Sequence, residues 1–84
     1  MNLKKLRYKA FYRSTREADF LFRSFFEKEV PNLSTIEIDA LTKLLDSEDP
    51  EIFDWINDFS QPPSEFTHII RKLQIFIKIR PPNS

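Results

Sequence analysis

The sequence predicts an all-α fold, a compact five-helix bundle, and three observations predict it. Glycine is absent from all 84 residues, so the Asn-Gly and Asp-Gly turns that join short strands are missing. Apolar residues recur three and four positions apart along five segments, the period of one helical face. Between those segments stand Ser, Asp and Pro, the residues that start and stop helices.

Helix 1 is expected from about Asn2 to Tyr12, with Leu3, Leu6, Ala10 and Phe11 on one face. Helix 2 is expected from about Thr15 to Glu29. Ser14 suits its N-cap, and Glu17 three residues on completes a capping box. Asp19 adds negative charge to the first turn, where the helix dipole favours it. Ala18, Leu21, Phe22, Phe25 and Phe26 make the apolar stripe, and Pro31 ends the helix by disfavouring helical geometry in the residue before it. Helix 3, about Thr35 to Asp46, opens on a second box, Ser34 with Glu37, and a hydrophobic staple, Leu33 with Ile38. Leu41, Leu44 and Leu45 carry its stripe onward. Helix 4, about Pro50 to Asp58, has Asp49 as N-cap and Pro50 first in the helix, where its missing N–H costs nothing. Gln61-Pro62-Pro63 makes the next break. Helix 5, about Ser64 to Ile79, carries Phe66, Ile69, Ile70, Leu73, Phe76 and Ile77 in a full helical stripe, which argues against reading the alternation in Leu73–Ile79 as a strand. Residues 1–80 are thus expected to form a single helical domain, and 81–84 a disordered tail.

Composition excludes several classes of function. There is no cysteine, which removes disulfides, thiolate metal sites and Cys nucleophiles. No apolar run approaches the ~20 residues of a membrane span, and the basic start is not followed by the apolar core of a secretory signal. A cytoplasmic protein without membrane insertion is expected. Thirteen basic residues balance thirteen acidic ones, but unevenly. Residues 1–16 hold six cations and no acid, and residues 27–65 hold eleven acids against Lys28 and Lys43. Such a separation can steer a protein partner.

The inventory for catalysis is thin. His68 is the only histidine, and no Gly-rich loop exists to cradle a phosphate. The acids Asp46, Glu48, Asp49, Glu51 and Asp54 lack the alternation, central Gly and closing Glu of a calcium loop, so they read as caps and solvated faces. Basic helix 1 with Tyr8, Phe11 and Tyr12 mixes cations and aromatics, but a neutral chain is unlike most nucleic-acid binders. What remains is Arg13-Ser14-Thr15-Arg16-Glu17. Capping accounts for Ser14 and Glu17. It does not account for Arg13 and Arg16 flanking a tight turn beside Glu17 and Asp19, where planar Arg forks could form a recognition cluster.

Two blocks of this sequence resemble a known family, the small assembly factors that promote covalent attachment of FAD to the flavoprotein subunit of succinate dehydrogenase. The first block, Lys5 to Asp19, is similar to the family's basic first helix and its Arg-Gly-x-x-Glu signature. The second, Leu44-Leu45 and then Asp49-Pro50-Glu51-Ile52-Phe53-Asp54-Trp55, is similar to its Leu-Leu, Asp-Pro-Asp/Glu and aromatic-x-Trp segment. The resemblance spans about residues 4–76. It implies a five-helix bundle that is not itself an enzyme, is a monomer when free, and holds no cofactor, the FAD belonging to the partner. The implied partner is the flavoprotein subunit of succinate dehydrogenase or fumarate reductase, not nucleic acid. The implied contact residues are Arg13, Ser14, Arg16, Glu17 and Asp19, with Arg7 and Tyr8 from helix 1. Arg13→Ala and Glu17→Ala are expected to lower flavinylation with the helical fold intact. One departure stands out: Ser14 occupies the place of the signature Gly, adding a Cβ and a hydroxyl. The second block reads mainly as capping and core. The competing functions are a nucleic-acid-binding module using helix 1 and an antitoxin-like regulatory protein.

Overall fold

The computed structural model describes residues 3–79 and consists of five α-helices joined by short turns, with no strand among the described residues. Helix α1 is Leu3–Ala10, α2 is Arg16–Lys28, α3 is Thr35–Leu44, α4 is Asp49–Ile56 and α5 is Thr67–Ile79. The expected start of helix 1 at Asn2 and the expected disordered tail at 81–84 lie outside the described residues.

The stripes read from the sequence form the core. Phe22 and Phe25 of α2 are each 1 % exposed, and burying a side chain of that size stabilises by about 1.5–3 kcal/mol. Phe25 meets Phe76 of α5 edge to face at 5.3 Å between centroids, and Phe11 meets Phe26 in the same way at 5.7 Å. Trp55 packs inward beside Phe66. Leu3 is a correction: it lies on the expected stripe but is exposed, because the buried contacts of α1 begin at Leu6.

All helix ends but the start of α5 fall within two residues of expectation, and the differences have local causes. Chain reversal after α1 is made by Tyr12, whose φ of 63° stops the helix two residues earlier than expected. A bulky residue in that left-handed region is uncommon and strained. Asp58 does the same after α4, with φ 61°. Pro31 sits in a 3₁₀ turn, Val30–Asn32, that closes α2, and a second such turn, Ser64–Phe66, precedes α5.

The Ser34 capping box is formed. The Ser34 N–H donates to Glu37 Oε1 at 2.8 Å, and the Glu37 N–H donates to Ser34 Oγ at 3.2 Å. The Ser14 box is not. Thr15 caps α2 instead, accepting from the Ala18 N–H at 3.1 Å, and α2 starts one residue later than expected. The N-cap of α4 is Glu48, without a side-chain bond, and Asp49 is the first helical residue rather than the cap. Both corrections have one cause, the carboxylate of Asp49.

Candidate partner-binding site

Asp49 is the one polar or charged residue buried among those described, at 2 % exposure. It lies at the start of α4, directly behind the turn between α1 and α2. Its Oδ1 accepts from Arg13 Nε at 2.8 Å and contacts Nη2 at 2.6 Å. Its Oδ2 accepts from the Ser14 hydroxyl at 2.7 Å and from the Ser14 N–H at 3.1 Å. Burial alone would raise the pKa of this carboxyl. The Ser14 hydroxyl, the Arg13 side chain with its charge, and the Ser14 N–H outweigh burial and hold it below the usual carboxylate range.

The family resemblance implies that Arg13 is a contact residue. Its side chain is only 11 % exposed. Beyond Asp49, Nη1 donates to the carbonyls of Lys9 at 3.0 Å and Leu45 at 2.8 Å, and Nη2 donates to Ser47 at 3.0 Å. All three guanidinium nitrogens are therefore engaged inside the molecule. Arg13 ties the end of α1 to the loop between α3 and α4, and stands 5.6 Å over the ring of Phe22. The basic first segment and the acidic middle segment thus meet, since Lys9 also pairs with Asp46 at 2.6 Å.

Ser14 does not adopt a positive φ, so the backbone here makes no demand for glycine. Its hydroxyl is a donor that glycine lacks, and that donor is directed to Asp49.

The other expected contact residues face outward. Arg16, Glu17, Tyr8 and Arg7 are exposed, Tyr8 at 78 %. Among the described residues the side chains of Arg16, Glu17 and Tyr8 have no hydrogen-bond or ion-pair partner. Asp19 is half-buried and belongs to the turn: it accepts the Tyr12 N–H at 2.8 Å and pairs with Arg23 at 3.3 Å. These donors outweigh its partial desolvation and lower its pKa.

Two residues of this surface, Arg23 and Phe20, have no place in the sequence reading. Arg23 stands 4.2 Å over the Phe11 ring, which Arg7 also covers at 4.5 Å, and 5.4 Å over Tyr12, itself 80 % exposed. Phe20 is 60 % exposed beside Arg16 and Glu17. Its signal was available: it is the one Phe of helix 2 that falls off the apolar stripe. Arg16, Glu17 and Phe20 line one side of a groove of about 740 Å³ that Phe53, Phe76 and Ile77 line on the other helices. A second cleft of about 480 Å³ runs past Tyr8, Tyr12, Ser14 and Asp46.

His68, the lone histidine, is an exposed partner of Glu37 at 2.7 Å, and Lys72 meets the same oxygen at 2.9 Å. Among the described residues no three His, Cys, Asp or Glu side chains are grouped to hold a metal ion. No helix of the described residues is long and apolar enough to cross a membrane.

Comparison with known proteins covers the same ground as the fold and the turn. A family model described as flavinator of succinate dehydrogenase matches residues 4–77. The FAD assembly factor SdhE of Coxiella burnetii is 39 % identical over 72 residues, covering 84 % of this chain and 87 % of that protein. The factor of the same name from Yersinia pseudotuberculosis is 35 % identical over 71 residues, 83 % of this chain and 81 % of the relative. The mitochondrial succinate dehydrogenase assembly factor 2 of Mycosarcoma maydis is 36 % identical over 64 residues, 76 % of this chain but 27 % of that longer protein. With a matched segment that takes in all five helices and the turn braced by Asp49, the chain belongs to the family of flavinators of succinate dehydrogenase.

Proposed function

We propose that this protein binds the flavoprotein subunit of succinate dehydrogenase, or of the related fumarate reductase, and promotes covalent attachment of FAD to it. One observation carries the reading: inside the segment that matches the family, the signature turn is braced from behind by Asp49 and holds Arg16 and Glu17 outward without partners among the described residues. A rigid turn with unpaired charges loses little entropy on docking, and Arg and Tyr are the side chains that most often dominate an interface.

In this reading the outward face of Arg7, Tyr8, Arg16 and Glu17 makes the contact, with Phe20 beside it as an apolar anchor. Arg13, Ser14 and Asp19 contribute by shaping the turn. The factor acts as a monomer in the cytoplasm, does no bond-making itself, and the FAD and the residue it joins belong to the partner. The nucleic-acid reading loses support here, because two cations of the basic segment, Lys9 and Arg13, are neutralised by Asp46 and Asp49.

The test is flavinylation of the separately purified flavoprotein subunit with FAD, read as covalent flavin fluorescence on a denaturing gel. The factor should raise the yield, and Glu17→Ala and Arg16→Ala should lower it while their helical circular dichroism stays that of wild type. Equal yields with and without the wild-type factor would end this reading.

A further inference from the structure

We propose that Asp49 is a positioning residue for partner capture: it holds the Arg13–Glu17 turn in the one arrangement the flavoprotein recognises, through Arg13 and Ser14, without touching the partner. This rests on the function proposed above and reassigns the second sequence block, expected to be capping and core, as the back-plate of the first.

The local restraints of the turn, the Thr15 cap and the Asp19 carboxylate on the Tyr12 N–H, leave the Ser14 N–H and hydroxyl without a local partner. The chain reversal of the turn depends on a left-handed Tyr12, and its expected capping box is not made. What holds Ser14 is a carboxylate 35 residues away in sequence. That carboxylate takes two contacts from Arg13 on Oδ1 and two from Ser14 on Oδ2. Both oxygens are needed, one for each neighbour. At 2 % exposure Asp49 cannot itself reach a partner, whereas Arg16 and Glu17 follow Ser14 after one residue, Thr15, and inherit its placement. Ser14 is half of the device: where the family signature has Gly, this chain supplies an extra hydroxyl bond to the same carboxylate.

Asp49→Asn separates positioning from simple stabilisation. An amide of the same shape offers one acceptor where the carboxylate offers two. With its oxygen toward the Arg13 charge, its NH₂ faces the Ser14 N–H donor against donor, and the Ser14 hydroxyl must turn from donating to accepting. The turn then spends most of its time elsewhere, and apparent affinity falls with the fraction of competent molecules. Capture of the flavoprotein subunit, measured by titration at a temperature where every variant is folded, should weaken about tenfold if about a tenth of the molecules keep the competent turn. Ile52→Val, in the core of the same helix and 0 % exposed, should lower the melting temperature but bind as wild type. If Asp49→Asn binds as wild type, or if both variants lose affinity in step with their stability, the proposal fails.

A second readout needs no partner. In Asp49→Asn the Ser14 amide should exchange with solvent about tenfold faster than in wild type, the loss expected when a bonded amide is released in most molecules, with α5 amides unchanged. Uniform acceleration of all amides would overturn positioning. If Asp49→Asn does not fold, Ser14→Ala, which keeps the Arg13 pair and removes one bond, should show the same localised exchange to a smaller degree. If wild-type factor does not capture the flavoprotein but the exchange remains localised, the proposed function fails and the positioning of the turn stands. Exchange unchanged at Ser14 in both variants removes the positioning role itself.

Discussion

Ser34-Thr35-Ile36-Glu37 and Ser14-Thr15-Arg16-Glu17 share a Ser-Thr-x-Glu pattern at the head of a helix, yet they fold differently. In the first, the serine and the glutamate bond reciprocally and the helix starts where the pattern says. In the second, the cap moves to Thr15, Glu17 is left exposed, and the serine turns to a carboxylate from another helix. Magnitudes explain the difference. An N-cap is worth about 1 kcal/mol, and Thr15 recovers most of it one position along. Leaving a buried carboxylate short of partners costs several times more. The nearby buried charge therefore decides the geometry, and the local pattern yields.

The variant expected to break this contrast most is Arg13→Ala. It strips Asp49 of its counter-charge and should cost about 3–5 kcal/mol, a fall in Tm of about 15 °C or more for a domain of this size. That replaces the expectation of an intact fold. A melt within a few degrees of wild type would show that Asp49 finds other donors.

Acid should have the next largest effect. Asp49 and Glu37 both have folded pKa values below their unfolded ones, Glu37 at about 2 against an ordinary 4.5. For Glu37 the Ser34 N–H comes first among the causes, followed by Lys72 and His68. Such groups add stability above their unfolded pKa and lose it as pH falls through the folded one. Wild-type Tm should thus decline on going from about pH 5 toward pH 2. Glu37→Gln should flatten that decline most, and Asp49→Asn should flatten it as well. An unchanged slope in Asp49→Asn would remove Asp49 from the acid response.

The caps themselves sharpen the comparison. Ser34→Ala and Thr15→Ala should each cost about 1 kcal/mol in urea unfolding. Glu17→Gln should change stability by less than about 0.5 kcal/mol, although Glu37→Gln is measurable. A Glu17→Gln cost equal to that of Glu37→Gln would mean that the first box forms in solution after all. Glu17→Gln is also the variant whose small effect on folding should accompany a clear loss of flavinylation, which separates the outward face of the turn from its inward one.

The helices were legible because their information is local. Stripes such as Phe66 to Ile77, breaks such as Pro31 and Pro62-Pro63, and the Ser34 box need only a few neighbouring residues to be read. The site was legible in part. Arg16, Glu17 and Tyr8 are outward, as their polarity and position suggest. Arg13 could not be placed, because whether an arginine is solvated or internal depends on what stands opposite it. Its partner here lies 36 residues on. Asp49 was visible as an acid in the second block, but Asp-Pro before a helix is so common a cap that the local explanation concealed the distant one.

The length of that link has a consequence for the order of events during synthesis and folding. Joining Arg13 to Asp49 closes a loop of 36 residues, and that closure must precede the contacts that reward it. A nascent or partly folded chain can form α1 and α2 from local signals, yet it cannot set the turn between them until α4 has docked. The proposed contact surface is therefore completed late, by a helix that is not part of it. A molecule competent to engage its client is, by this geometry, one that has already finished folding.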